Sequence, residues 1–103
     1  MNDVLYHLCR HCVSIMNKGL PFPSTLLCDV CHKSLYQTRK ELKKLKEQGY
    51  VVAGRYTENT EDGQVLLNGY IITDKAKETE EYKKAFEEER NLCKECFGFD
   101  IKE

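Results

Sequence analysis

All six cysteines of this 103-residue chain fall into C-x-x-C pairs, a spacing that often serves metal or redox chemistry. The pairs are Cys9/Cys12, Cys28/Cys31 and Cys93/Cys96. Two such pairs can supply the four thiolates of a tetrahedral zinc site, and the separation of the first two pairs falls in the range of four-cysteine sites. The segment 28–32, CDVCH, also has the spacing that attaches a c-type haem.

The sequence around these pairs favours a structural role. Zinc ribbons usually hold cysteine pairs in turns, whereas 9–12 and 28–31 lie in predicted amphipathic helices, where cysteines three apart share a face and pack as small apolar side chains. Haem attachment takes place outside the cytosol, and the first residues lack the basic region and apolar run of an export signal. We expect packing without a bound cofactor or metal; a shared zinc ion and thiol redox sensing are the alternatives.

The chain is expected not to be an enzyme. It shows no nucleophile with a His and acid partner, no Gly-rich phosphate loop and no carboxylate pair on an apolar background. His7 and His11 lie four apart in the first predicted helix, but without an HExxH pattern they are expected at the surface. No apolar run approaches the roughly 20 residues that span a bilayer, so we expect a soluble cytoplasmic protein of one domain, 1–103.

Charge is distributed unevenly along the chain. Residues 1–56 carry nine Lys/Arg and four Asp/Glu, whereas residues 57–103 carry seven and thirteen. The basic half is therefore the part expected to face an anionic partner.

Hydrophobic periodicity predicts three helices in the first half of the chain. The first runs from Asp3 to Lys18, with Asn2 as N-cap and Gly19 as stop. A short second helix begins after the Pro-containing segment 19–24, capped by Ser24 or Thr25; its predicted buried face is Leu27, Val30 and Cys31. The third runs from about Leu35 to Gln48, with a capping box from Ser34 and Gln37 at its start and Gly49 at its end.

The second half begins with β patterns. YVVAGRY and VLLNGYIIT are rich in β-branched and aromatic residues, and the polar stretch TENTEDGQ between them predicts a hairpin with a long loop. Thr73 or Asp74 is expected to cap a final long helix that ends at Gly98. The apolar side of that helix carries Ala76, Tyr82, Ala85, Phe86, Leu92, Cys93 and Cys96.

The third helix has two chemically different faces. Its inner stripe is predicted to be Leu35, Thr38, Leu42 and Leu45. The opposite face carries Tyr36, Gln37, Lys40, Lys43 and Lys44, with Arg39 on the flank. A short helix, a tight turn at 32–33 and a second helix with a basic outer face is the layout of a helix-turn-helix, whose second helix enters the major groove.

Two segments carry a family resemblance. LCDVCHKSLYQTRKELKKLKEQGYVV resembles the helix-turn-helix and first wing strand of winged-helix regulators of the MarR and PadR type, and GYIITDKAKE is similar to their second wing strand and its exit into a final helix. The resemblance covers roughly residues 3–78. It implies an α+β winged helix with a three-helix core and hairpin wing in 3–73, a C-terminal helix in 74–97, and a bacterial or phage-type transcriptional regulator that binds specific sequences of double-stranded DNA.

The resemblance also implies the DNA-binding residues. It matches Tyr36, Gln37, Lys40 and Lys43 to positions that meet the groove, and Lys44 to one that contacts the DNA backbone. We expect docking on phosphates by Lys40, Lys43, Lys44 and Arg55, and base recognition by Tyr36, Gln37 and Arg39. The hairpin loop departs from the family because Glu58, Glu61 and Asp62 would be repelled by phosphate. The alternative function is a winged helix that binds other proteins, with or without a stabilising zinc ion, and does not bind DNA.

A homodimer is expected from the final helix. Tyr82, Phe86, Cys93 and Cys96 form an apolar stripe that Phe99 and Ile101 extend, and exposed stripes of this size usually mark interfaces. Pairing through the first and last helices would place both third helices on one side. The alternative is that the final helix folds back on the first helix within one chain.

Overall fold

The computed structural model describes residues 1–17 and 20–98, apart from the side chains of Glu58 and Leu67. Over these residues the chain is an α+β protein, as predicted, with four α-helices, a two-stranded antiparallel sheet and a short 3-10 helix. The elements in chain order are α1 (Asp3–Val13), α2 (Ser24–Cys31), α3 (Leu35–Glu47), β1 (Val51–Thr60), β2 (Gly63–Ile72), the 3-10 helix (Asp74–Glu78) and α4 (Glu80–Phe97). None of the helices in the described residues has the length and apolarity needed to cross a bilayer.

Two of the predicted N-caps are confirmed. Asn2 Oδ1 accepts a hydrogen bond from the amide three residues later at 3.0 Å, and Ser34 Oγ does the same at 3.1 Å. These bonds satisfy amides that have no partner inside the helix. The predicted cap of α2 is wrong, because Pro23 occupies that position and Ser24 is the first helical residue. Proline suits the helix entrance because it has no amide hydrogen to satisfy.

α1 ends at Val13, earlier than the predicted boundary at residue 18. Ser14 is extended, with ψ of 130°, and the chain then turns. The Ile15 amide donates to a carboxylate oxygen of Glu89 at 3.2 Å. The prediction fails because a residue far along the sequence binds an amide that a longer helix would use. The predicted stop at Gly19 lies outside the described residues.

The core lies between α1 and the helices that pack around it. Its buried residues are Val4, Leu5, Leu8, Cys9, Phe22, Leu27, Leu42, Leu45, Val51, Ala76, Tyr82 and Ala85. The inner stripe of α3 is confirmed at Thr38, Leu42 and Leu45, and Leu35 is half-buried. The predicted buried face of α2 is wrong at Val30, which is 44% exposed. Val30 and the half-buried Cys31 lie on opposite sides of Leu27 around the helix, and it is Cys31 that meets α1, with its Sγ 4.0 Å from the Asp3 carbonyl oxygen.

The strands of the hairpin are longer than predicted, and the prediction of a long loop between them is wrong. Each strand has ten residues, and pairing runs without interruption from Val51↔Ile72 to Thr60↔Gly63. Only positions 61 and 62 connect the strands. Gly63 has φ of 116°, a conformation that other residues rarely adopt. Six of the eight residues that indicated a loop, 57–60 and 63–64, belong to paired strands, because cross-strand hydrogen bonds outweigh their low strand propensity.

Pro21 and Phe22, shortly before α2, lie against the hairpin. The amide and carbonyl of Phe22 pair with those of Tyr70 in β2, both at 2.9 Å. The ring of Pro21 lies over the cross-strand pair Gly54↔Gly69. A Cβ on Gly69 would come 2.7 Å from Pro21 Cβ, so this close approach requires glycine.

The final helix begins later than predicted. Residues 74–78 form a 3-10 helix, Thr79 is extended (φ −83°, ψ 158°), and its hydroxyl caps α4 by accepting from the Tyr82 amide at 3.2 Å. Gly98, with φ of 70°, ends α4 as predicted. The predicted extension of the apolar stripe to Phe99 and Ile101 lies outside the described residues.

Candidate nucleic-acid interface

A residue in the left-handed backbone conformation, His32, forms the turn between α2 and α3. His32 has φ of 55° and ψ of 40°, and its amide donates to the Asp29 carbonyl at 3.3 Å. The Lys33 amide donates to the Cys28 carbonyl at 3.1 Å. These bonds satisfy the last carbonyls of α2, and Ser34 then caps the new helix. The turn is therefore built from the backbone, with His32 in a conformation that histidine adopts more readily than most residues.

The inner face and C-terminus of α3 are held by the rest of the molecule. Thr38 and Leu42 are fully buried, and Leu45 nearly so. At the end of the helix, Lys75 Nζ donates to the Gln48 carbonyl at 2.6 Å and lies 4.9 Å from the centre of the Tyr50 ring. The helix is fixed at both ends, so its outer face has a defined orientation.

The outer face of α3 contains all six predicted helical site residues, and all six are exposed. They are Tyr36, Gln37, Arg39, Lys40, Lys43 and Lys44. Tyr36 is 76% exposed. Within the described part of the chain, no carboxylate oxygen lies within 4.0 Å of the four cations of this set. Unpaired cations beside an exposed phenol and amide form a surface suited to an anionic, hydrogen-bonding ligand.

Two details strengthen the positive field of this face. Glu41, one of two carboxylates in α3, is half-buried and lies 3.5 Å from the side-chain amide of Asn2, which places it toward α1. The Gln37 side chain forms no hydrogen bond with other described residues, although the sequence predicted that it would cap Ser34. Its amide is therefore available to a ligand.

The seventh predicted residue, Arg55, belongs to another element. It is exposed on β1, directly opposite Asn68 on β2. The carboxylate-bearing residues Glu61 and Asp62 lie exposed at the hairpin turn. The predicted site is thus divided between one helix face and the middle of a ribbon whose tip is acidic.

The thiols are buried to different degrees, and all six are free. Burial raises the pKa of Cys9 to about 12, and it also raises the pKa values of Cys12, Cys31 and Cys93. A raised pKa keeps a thiol protonated and opposes metal binding and nucleophilic attack. Over residues 1–17 and 20–98, no group of three or more His, Cys, Asp or Glu side chains is arranged to hold a metal ion.

His11 is less exposed than the sequence predicted. Its ring stacks on Phe22 with centroids 4.1 Å apart and planes inclined by 10°, and its Nε2 lies 3.1 Å from the Leu20 carbonyl oxygen. Burial lowers the pKa of the imidazole. The ring therefore helps to hold the segment between α1 and α2.

Sequence reasoning missed the polar contacts between α1 and α4. Arg10 Nη1 lies 2.6 Å from a carboxylate oxygen of Glu89, and the Tyr6 hydroxyl donates to Glu88 at 2.6 Å. Burial, and next the hydrogen bond with Glu88, raise the pKa of Tyr6. A signal was present in the sequence, because Glu89 lies four residues from both Ala85 and Cys93 on the apolar stripe of α4.

The chain matches no protein-family model, no curated protein and no solved structure. Functional proposals therefore depend on the geometry and charge of its own surfaces. One of these surfaces, the outer face of α3, carries four exposed cationic side chains on a helix whose inner face is buried.

Proposed function

We propose that this protein is a winged-helix transcriptional regulator of bacterial or phage type that works in the cytoplasm and binds double-stranded DNA through α3. The observation that carries the proposal is the outer face of that helix, where Arg39, Lys40, Lys43 and Lys44 are exposed without a carboxylate partner among the described residues. The major groove of B-DNA is about 12 Å wide and accepts an α-helix of this kind. Phosphates on both sides provide the anionic partners.

The order of elements supports the winged-helix part of the proposal. Three helices precede a hairpin and a fourth helix, and Phe22 adds a short extended segment beside β2. In this arrangement residues 3–73 form the DNA-binding core. α2 lies before a tight turn, α3 is the recognition helix, and the ribbon is the wing.

The side chains divide between docking and base recognition. Lys40, Lys43 and Lys44 reach phosphates on either side of the groove, which fixes register without sequence information. Tyr36 and Gln37 lie in the first turn of α3, the part of a recognition helix that usually contacts base edges. A glutamine amide can pair with adenine N6 and N7, and an arginine such as Arg39 with guanine O6 and N7.

Salt-dependent DNA binding tests the proposal. A fluorescent duplex of mixed genomic sequence is titrated with protein at several salt concentrations, and the slope of log affinity against log salt is measured. Three phosphates neutralised by Lys40, Lys43 and Lys44 predict a slope of about −2.7, which corresponds to a loss of roughly fortyfold between 50 and 200 mM salt. Absence of binding at low salt would overturn the proposal.

Matched lysine substitutions localise the contact. Lys40→Ala and Lys43→Ala are each expected to weaken binding and to reduce the slope by about 1. Lys83→Ala is the control, because Lys83 is an exposed lysine on α4 without an ion pair among the described residues. Equal losses in all three variants would show that binding depends only on total charge.

We also propose that the regulator acts as a homodimer. Tyr82 and Cys93 are buried within one chain, where α4 packs on α1, so they are not free to form the interface predicted for them. Ile15 and Met16, which follow α1, and Leu92 of α4 remain exposed, and these apolar side chains are the ones that would join two copies. Sedimentation at micromolar concentration should give the mass of two chains, and Leu92→Glu should give one. A single-chain mass for the unchanged protein would reject the dimer.

A protein-interaction module is the second candidate. The carboxylates at positions 61 and 62 favour it, because an acidic ribbon tip is unsuited to phosphate and suited to a basic protein surface. The salt titration separates the two candidates. If the protein shows no affinity for duplex DNA at low salt, that result would support this second function.

A further inference from the structure

One face of the ribbon groups Arg55 with hydrogen-bonding side chains that the DNA-binding prediction did not include. Directly opposite residues in an antiparallel pair point to the same face, and alternate residues of each strand do so as well. Three successive cross-strand pairs therefore share a face. The pairs of this polar ribbon face are Arg55↔Asn68, Thr57↔Leu66 and Asn59↔Gln64. All six residues are exposed.

The polar side chains of this face are available to a ligand. The side chains of Arg55, Asn59, Gln64 and Asn68 form no hydrogen bond or ion pair with other residues in the part of the chain that the structure describes. One guanidinium and three amides offer both donors and acceptors. None of the six positions holds a carboxylate, although position 58 and the turn at 61–62 do.

This combination matches the base edges of duplex DNA. Arginine pairs with guanine O6 and N7, asparagine and glutamine pair with adenine N6 and N7, and an apolar side chain such as Leu66 can contact the thymine methyl group. A two-stranded ribbon also has the width to enter the major groove. A basic protein partner would instead favour carboxylates, which these six positions lack.

We infer that the polar ribbon face is a second base-recognition surface, separate from α3. The inference rests on the proposed DNA-binding function and extends it from Arg55 alone to the amides of Asn59, Gln64 and Asn68. The exposed carboxylates of Glu61 and Asp62 determine how DNA meets the ribbon. Because phosphates repel them, the duplex contacts the middle of the strands, and the turn extends beyond it.

A DNA site that binds this protein therefore contains two separate segments of recognised bases. One is contacted by α3 and the other by the polar ribbon face. The loss of one good base contact lowers affinity for the preferred sequence by about tenfold, while binding to mixed DNA depends on phosphate contacts and changes little. Specificity and overall affinity should therefore respond differently to changes in the ribbon.

Selection of binding sites from a random duplex pool tests the inference. The unchanged protein is expected to enrich a motif with two segments. The Gln64→Ala/Asn68→Ala double variant is expected to enrich only the segment contacted by α3, and to bind the original motif at least about tenfold more weakly with unchanged affinity for mixed DNA. The same motif and affinity in both proteins would overturn the inference.

An isosteric charge change provides a matched comparison. Asn68→Asp places a carboxylate on the polar ribbon face, and Asn91→Asp makes the same change at an exposed position of α4. Only the first is expected to weaken binding to the selected motif, by tenfold or more, with unchanged thermal unfolding of both variants. Equal effects of the two changes would contradict a contact at the ribbon.

The two proposals fail in different ways. If the unchanged protein enriches no duplex, the DNA-binding function is wrong and this inference is wrong with it. If a motif is enriched and depends on Lys40 and Lys43 but not on the ribbon variants, the ribbon inference alone is wrong.

Discussion

Arg10 and Glu89 form an ion pair of 2.6 Å although they lie 79 positions apart in the chain. Glu89 is only 3% exposed, and its second oxygen accepts the Ile15 amide at 3.2 Å. Both oxygens of the buried carboxylate therefore have partners, which offsets the cost of removing the charge from water. The pair joins the first helix to the last helix at the point where α1 ends.

Removal of Glu89 is expected to destabilise the fold strongly. Glu89→Ala leaves Arg10 and the Ile15 amide without their carboxylate, and loss of one partner of a buried pair costs about 3 kcal/mol. Glu87→Ala, at an exposed position of the same helix, should change the free energy of unfolding by less than about 0.5 kcal/mol. Urea denaturation measures both variants. Similar unfolding midpoints for the two would show that the ion pair does not hold α4 to α1.

The two faces of α3 should separate stability from binding. Leu42→Ala removes a fully buried side chain and is expected to lower the free energy of unfolding by about 2 to 5 kcal/mol. Lys43→Ala should leave thermal unfolding nearly unchanged and weaken DNA binding, because Lys43 is exposed. Unfolding of the Lys43 variant would contradict the assignment of the faces.

The Thr38 hydroxyl is expected to lower the stability of the folded protein. It is fully buried and has no hydrogen-bond partner among the described residues. Thr38→Val keeps the shape and removes the polar atom, so the free energy of unfolding should rise by about 1 kcal/mol. Thr57→Val, at an exposed position of β1, is the control in the same denaturation experiment. A less stable Thr38 variant would indicate that the hydroxyl has a partner in solution.

The stability of the protein should fall in mild alkali because of Cys9. The folded chain holds the pKa of this thiol at about 12, above its ordinary value of 9.0, so the unfolded chain loses the proton first as pH rises. The stabilising contribution is complete below pH 9.0 and is lost between there and about 12, at about 1.4 kcal/mol per pH unit.

Urea denaturation at about pH 8 and about pH 10, under reducing conditions, measures this dependence. Cys9→Ala should have a shallower dependence on pH than the unchanged protein, whereas Cys96→Ala, at an exposed thiol, should not. Identical pH dependence of all three proteins would show that the Cys9 thiol is accessible to water.

The contact of Pro21 with the ribbon should not tolerate a side chain at Gly69. A Cβ there would lie 2.7 Å from Pro21 Cβ and 2.9 Å from its carbonyl carbon, so backbone must move. Gly69→Ala is expected to cost about 1 to 3 kcal/mol. Gly98→Asn is a control, because nothing lies within 4 Å of a Cβ there and its φ of 70° is one that asparagine adopts more readily than most residues. A fully stable Gly69 variant would show that Pro21 does not lie on the strands.

Features that depend on a few neighbouring residues could be predicted from the sequence. The Ser34 cap, the helix ends at Gly49 and Gly98, and the inner stripe of α3 all follow from side chains within one helical turn. The same locality explains why the six helical site residues were predicted to be exposed. A helix with a known apolar stripe leaves its other face to solvent.

Features that depend on distant residues could not be predicted in this way. Strand pairing extends through residues that resemble a loop, and the exact register brings Asn59 and Gln64 to the same face as Arg55. Neither residue has a sequence signal of its own, because an amide in a polar segment is equally consistent with a turn.

Contacts between distant residues also decide where α1 ends and which surface covers the apolar stripe of α4. Local periodicity shows that Tyr82, Ala85 and Cys93 need an apolar neighbour, but not whether that neighbour is α1 or a second chain. That α1 of the same chain covers them depends on complementary packing and on the Arg10–Glu89 pair. The partners of this pair meet only after the chain has folded. Hydrogen bonds to the backbone, such as that from Ile15 to Glu89, then outweigh the local preference for helix.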